Sequence, residues 1–382
     1  MKQKLESTSL MKSGINNMFN SKHYVPILKW KRAEQGALKA LVKEQKKYIT
    51  PLIQFVMPKE KPEEQLENVV QRFEEQLPKI PEKIKEVWGN DPIFVDFSLL
   101  FTTPLKIKSL NTILYEGYKL GATFIPVIHL KDDRQIQEVT CSLAREKSNG
   151  ICLRLICSDF ADLTKLNQDI NELLSFAGLA KEDINLLIDI QEIEENGGKY
   201  IKYLDLSQRI PDLSKWQAFI FASGAFPKDL SQYRFDEENF IPRLDWQNWL
   251  DQVEKRKLQR KPAFADYTIQ HPIYDYSSQF FHPTTSIKYT LENEWLIMKG
   301  KRQKFELYLA SAALLAKDKR FYGENFSDGD KYIAEKAKHY PKYMGEKRMG
   351  KDVKGTGSTE TWLKAGINHH LALVAHQIAN LL

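Results

Sequence analysis

Apolar side chains fall along this chain in short, nearly continuous runs, recurring at roughly the 30-residue spacing of a strand followed by a crossover helix. The runs cover residues 24–30, 50–56, 92–97, 123–130, 150–156, 184–190, 217–223 and 262–267 and are rich in Val, Ile and Phe. They alternate little between apolar and polar positions, as strands of a parallel sheet covered on both faces do. Charged stretches with apolar residues at helical spacing lie between them. These predict helices over 34–47, 63–87, 105–120, 133–147, 163–177, 199–209 and 243–256, with Pro58, Pro92, Gly121, Gly150 and Gly224 at the joints.

Eight such units over about 250 residues predict an α/β fold of the (β/α)8 type. The competing doubly wound sheet uses the same local units, often with a glycine-rich first turn, but residues 31–36 contain no GxGxxG. Beyond the eighth run the pattern changes. Residues 286–290 and 295–298, on either side of 291–294, predict a β-hairpin, and 305–316 a helix. The Lys-, Gly- and Tyr-rich stretch 321–354 has weak periodicity and reads as loop with one short helix. Residues 359–382 read as an amphipathic helix capped by Ser358, with Leu371, Val374, Ile378 and Leu381 on one stripe. The division predicted is a polar N-terminal segment (1–22), the barrel (23–284) and a C-terminal extension of hairpin, basic loop and helix (285–382).

Composition narrows the class. Of 382 residues, 42% are hydrophobic and 28% charged, which is enough apolar surface for a large core. A net charge of +6 is mild for this length and short of a dedicated nucleic-acid binder. The first 20 residues carry no apolar leader run, and no stretch approaches the ~20 apolar residues of a membrane helix, so a soluble cytoplasmic protein without membrane partners is expected. Cys141, Cys152 and Cys157 form no CxxC pair, which favours a reducing compartment and no structural zinc.

The run Tyr24-Val-Pro-Ile-Leu-Lys-Trp-Lys-Arg-Ala-Glu34, followed by Ile49-Thr-Pro-Leu-Ile53 and Val95-Asp96, resembles the family called "beta protein" or "beta family protein". Ser286-Ile-Lys-Tyr-Thr290, Trp295-Leu-Ile-Met-Lys-Gly300 and Trp362-Leu-Lys-Ala-Gly-Ile-Asn-His-His370 are similar to that family too, so the likeness spans nearly the whole chain. The family takes its name from a phage protein and carries no catalytic residues to transfer. What the resemblance implies is a role in phage defence or phage–host conflict, with a protein partner in a defence complex.

Function in such barrels lies at the C-terminal ends of the strands. The polar residues expected there are Lys29, Lys31, Glu34, Gln54, Asp96, His129, Arg154, Asp189, Gln191, Ser223, Asp266 and Tyr267. Each must be hydrogen-bonded, because a polar group in an apolar strand is otherwise costly by roughly 1–3 kcal/mol. Cations (Lys29, Lys31, Arg154) with Glu34 and Tyr267 would bind a phosphate-bearing ligand, and Asp96, His129, Asp189 or Asp266 would act as acid or base. The competing account is an ion-pair network that closes the barrel end.

No metal site is assigned: His271 and His282 have no ligand spacing, and His369 and His370 point ~100° apart on a helix and read as exposed or cap-like. No cofactor motif is legible, and whether the chain is an enzyme stays open. The second function class is a non-catalytic scaffold or recognition protein, binding a partner protein or nucleic acid through its basic C-terminal third. Lys299, Lys301, Arg302, Arg320 and Arg348, interleaved with aromatics, are its candidate phosphate contacts.

Overall fold

The computed structural model describes residues 20–381 apart from 148, 194–196, 236 and 277–283. Most of the polar segment expected over 1–22 lies outside the described residues, as does His282.

All eight apolar runs are strands of one closed parallel barrel: β1 (Tyr24–Lys29), β2 (Leu52–Gln54), β3 (Ile93–Asp96), β4 (Phe124–Ile128), β5 (Ile151–Ile156), β6 (Ile184–Glu192), β7 (Ala218–Gly224) and β9 (Ala263–Asp266). β9 pairs with both β7 and β1, which closes the ring. An extra strand, β8 (Glu238–Pro242), lies between the last two in sequence. Alternation divides each strand into two layers. Val25, Ile27, Leu52, Phe94, Val127, Cys152, Leu187, Ile220, Ala265 and Tyr267 pack together as the lumen core. Their neighbours Tyr24, Leu28, Ile53, Val95, Leu153, Ile188, Phe221 and Phe264 pack in the larger cluster that includes the helices.

The helices are α1 (Arg32–Lys39), α2 (Lys43–Lys46), α3 (Leu66–Glu74), α4 (Ile80–Trp88), α5 (Thr103–Lys119), α6 (Arg134–Lys147), α7 (Leu163–Ala177), α8 (Gly198–Ser207), α9 (Leu244–Lys255), α10 (Glu306–Leu315), α11 (Asp328–Arg348) and α12 (Thr359–Ala379). Two expected helices are each broken. Residues 34–47 divide at 40–42, and 63–87 divide around a single 3-10 turn that holds Pro78, with Pro81 in the first turn of α4.

The predicted hairpin is present as β10 (Thr284–Thr290) and β11 (Glu294–Arg302), but it belongs to a three-stranded antiparallel sheet of order β10-β11-β8. The expectation of a loop over 321–354 fails. α11 runs 21 residues through Pro341, with the Ser327 side chain accepting from the Asp330 amide at its start. Its weak periodicity follows from its burial, which takes in only Gly329, Asp330, Ile333, Ala334 and Tyr343, so most of the helix needs no apolar stripe.

α12 packs on the outer wall of the barrel against α1 and β1, with Ile367, Leu371, Val374 and Ile378 in the main core. Asn368 Nδ2 donates to the Ala37 carbonyl of α1 at 3.0 Å. α12 therefore stands where the helix following the eighth barrel strand is expected. β10, β11, α10 and α11 are inserted between that strand and its helix, and β8, from the connection before β9, completes their sheet.

Candidate functional site

At the C-terminal ends of the strands, the inward positions that follow the lumen core are polar. Lys29, Gln54, Asp96, Arg154 and Asp189 are all buried there. Asp96 and Asp189 each end an apolar run with an Asx-type turn: Asp96 Oδ1 accepts from the Ser98 amide at 2.8 Å, and Asp189 Oδ1 from the Gln191 amide at 2.8 Å. Gln191 holds a left-handed backbone (φ 56°) at this point.

Arg154 bridges the two carboxylates. Its Nη1 pairs with Asp96 and its Nη2 with Asp189, while Nε reaches Asp189 Oδ2 at 3.1 Å. Tyr267 joins from β9, its hydroxyl donating to Asp189 Oδ2 at 2.6 Å and accepting from Arg154 Nη2 at 2.9 Å. Gln54 Nε2 donates to Asp96 Oδ2 at 3.0 Å. Burial pushes the Asp96 carboxyl up, but His129, Arg154 and the Ser98 amide together outweigh it and hold the group well below the usual carboxylate range. His129 Nε2 lies 3.8 Å from Asp96 Oδ1, beyond hydrogen-bond range, and has no other partner among the described residues. The converging charges thus satisfy one another, as the ion-pair account requires.

Lys29 is the exception. Only 2% exposed, it carries no ion pair among the described residues, and its ammonium lies 4.9 Å from the centroid of the Tyr267 ring. Burial, reinforced by Arg154, pushes its amine down to about 7. Lys31 faces elsewhere: its Nζ donates to the Tyr274 hydroxyl at 2.8 Å and lies over that ring.

Asp266, expected in the same mouth, is not there. It points outward from the barrel, where Tyr24 donates to its Oδ1 at 2.6 Å and His370 Nε2 lies 2.9 Å from its Oδ2. His370 Nδ1 in turn meets Thr290 Oγ1 at 3.0 Å, and the adjacent His369 bonds Asp330 Oδ2 at 2.8 Å and the Thr290 carbonyl at 2.7 Å. Both histidines are fully buried, which corrects the expectation that they are exposed or cap-like. Arg243, also fully buried, donates to the Leu291 and Glu292 carbonyls and to Gln377 Oε1. These groups fasten α12 and the small sheet to the barrel. Among the described residues no group of three or more His, Cys, Asp or Glu side chains is arranged to hold a metal ion.

Beside the mouth, a groove of about 2190 Å³ runs from the loops leaving β1 and β2 across to β10 and β11. Trp30, Phe55, Phe73, Phe235, Tyr308 and Trp362 line it, as do Lys31, Lys59, Lys79, Lys288 and Arg302. Lys59, Lys79 and Arg302 have no ion-pair partner among the described residues, whereas Arg72 is held by Glu64 and Lys83 by Glu86. Lys288 is pushed down to about 8 by burial; its Nζ donates to the Ile269 carbonyl at 3.3 Å. Glu34 lies in this wall rather than in the lumen. The sequence offered no sign of Gln270 or Lys288 as site residues. Lys288 became legible only once β10 was paired, since Thr284, Ser286 and Lys288 alternate on its groove face.

The basic C-terminal segment is dispersed. Lys299 is 6% exposed, and its ammonium donates to the carbonyls of Leu230 (2.6 Å), Ser231 (3.4 Å) and Tyr233 (2.8 Å). Arg320 is occupied by Asp318 and Glu238. Both cations are thus already engaged by groups of the protein itself. Lys301 and Arg302 are exposed at the end of β11, and Arg348 is exposed at the end of α11. No helix among the described residues is long and apolar enough to cross a membrane.

Compared with known protein families, residues 24–376 match the model described as "Beta protein". None of the curated proteins compared with the chain matches it.

Proposed function

The chain belongs to the beta protein family, and from that premise we propose that it binds a phosphate-bearing ligand, a nucleotide or nucleic-acid strand, at the C-terminal face of the barrel and acts in phage–host conflict. The observation that carries the binding half is the groove at the ends of β1 and β2. Trp30 and Phe235, the aromatic side chains of its wall that are not buried, suit stacking on bases, and Lys59, Lys79 and Arg302, which have no ion pair among the described residues, suit phosphates. The conflict half rests on the family. The ligand contacts are Lys31, Glu34, Lys59 and Arg302, while Asp96, Arg154, Asp189 and Tyr267 hold the mouth beneath them.

Fluorescence anisotropy with a labelled single-stranded oligonucleotide and a labelled nucleoside triphosphate tests this directly. Binding that weakens steeply with salt, and a shallower salt slope in Arg302→Glu, are expected. No binding of either probe at low salt defeats the proposal. In cells, a phage-plating assay should lose its phenotype with the same substitution.

The mouth favours a second reading, in which the barrel recognises a partner without catalysis. Arg154 is fully engaged by Asp96, Asp189 and Tyr267, so these four groups are tied to one another rather than to a reacting ligand.

A further inference from the structure

We infer that Glu34 selects the ligand of the groove by accepting a hydrogen bond from an N–H or O–H group on it; the inference rests on reading the groove as a phosphate-ligand site. Glu34 is a wall residue of the groove and only 2% exposed. Its Oε1 accepts from Gln270 Nε2 at 2.8 Å, and its Oε2 has no hydrogen-bond partner among the described residues. A buried carboxylate oxygen left unbonded destabilises the fold, so an acceptor in this position is one that a ligand can satisfy.

The two nearest cations do not take that oxygen. Lys31 gives its ammonium to the Tyr274 hydroxyl, and the Lys29 ammonium lies over the Tyr267 ring. Burial pushes the Glu34 carboxyl up, against the opposing effects of Gln270, its own backbone amide, Lys31 and Lys29. The backbone that presents it is fixed. Glu34 is the third residue of α1, whose Ala37 and Leu38 are buried and whose Ala37 carbonyl is held by Asn368.

A carboxylate repels phosphate, so one ligand spanning the groove must be polar in a defined sense. Its phosphates meet Lys59 and Arg302, and a donor group elsewhere on it meets Glu34. A nucleotide has this polarity, with the donor on either the base edge or the sugar. An inorganic polyphosphate does not.

The test measures binding of inorganic triphosphate, the four ribonucleoside triphosphates and their 2′,3′-dideoxy forms to wild type, Glu34→Met and Glu34→Gln at one salt concentration, with a melting curve for each protein. Wild type is expected to bind at least one nucleoside triphosphate tenfold or more tightly than inorganic triphosphate. Glu34→Met should abolish that preference while binding inorganic triphosphate no more weakly than wild type. Glu34→Gln, which turns an N–H toward the groove and can keep its contact with Gln270, should do the same and serves if the Met variant does not fold. Loss of the preference on removing the sugar hydroxyls assigns the donor to the sugar, and its retention assigns it to the base. If a folded variant keeps the nucleoside preference, the role of Glu34 is overturned and the groove reading stands. If wild type binds no triphosphate at all, both fall.

Discussion

Asp266 and Tyr267 are consecutive, yet they face opposite sides of the barrel wall. The Asp266 carboxylate meets His370 of α12 on the outside, while the Tyr267 hydroxyl meets Arg154 and Asp189 in the lumen. A strand's two-residue period thus sorts the polar ends of the strands into two systems. One closes the barrel mouth, and the other fastens the final helix.

The mouth system is expected to be structural before it is anything else. Arg154→Met strands two buried carboxylates, and breaking a buried pair in this way costs about 3–5 kcal/mol. Urea unfolding at pH 7 should show a loss of that order. Adding Asp96→Asn and Asp189→Asn should restore most of it. An unchanged midpoint in the single variant would mean that the three groups do not depend on one another.

Lys29 yields a prediction of opposite sign. Its amine is near 7 in the fold against 10.5 in the free side chain, so between those values the unfolded chain binds the extra proton and stability rises with pH. Below about 7 the penalty for burying the charge is fully present. Lys29→Met should therefore melt higher than wild type at pH 6, and the advantage should shrink toward pH 10. Melting curves at the two pH values measure it. A constant difference would show that burial is not what shifts the amine.

The barrel itself was legible because all eight strands are buried on both faces and announce themselves as apolar runs. Pattern alone could not reveal facing at the strand ends: Asp96, Asp189 and Asp266 look alike in sequence, and only the last points outward. The insertion was hidden for a different reason. α12 reads in sequence as an amphipathic helix with one apolar stripe, but residues 365–375 are all buried, so the pattern neither showed that it is enclosed on every face nor tied it to β9. β8 is short, with only Ile241 buried, and it carries no strand signal until β11 is beside it. The distribution of the basic stretch depended on partners far away in sequence, as with Lys299 and the carbonyls of 230–233.

The outer system should be visible as acid sensitivity. Burial lowers the pKa of His370, opposed by Asp266, and His23 is pushed down to about 3 by burial. Both are neutral in the fold at pH 7, so as pH falls through 6.5 the unfolded chain gains protons that the fold does not, and stability drops. His370→Gln should unfold more easily than wild type at pH 7 but lose less between pH 7 and 5. Limited proteolysis should cut α12 earlier in this variant. An identical pH slope would remove His370 from the account.

Lys299 and Arg302 lie three residues apart at the end of one strand, and the structure separates their roles. The Lys299 ammonium is enclosed by the carbonyls of Leu230, Ser231 and Tyr233 and lies 4.3 Å from the centroid of the Phe235 ring. Truncating it leaves acceptors of that turn without a donor, each costing about 1–3 kcal/mol if buried. Arg302 is exposed in the groove wall and has no ion pair among the described residues. Lys299→Ala should lower the melting temperature by several degrees and leave the salt dependence of triphosphate binding unchanged. Arg302→Ala should leave the melting temperature unchanged and reduce the salt slope by about one released counterion. The reverse assignment, with binding lost at Lys299 and stability lost at Arg302, would put the phosphate contact at Lys299 rather than Arg302.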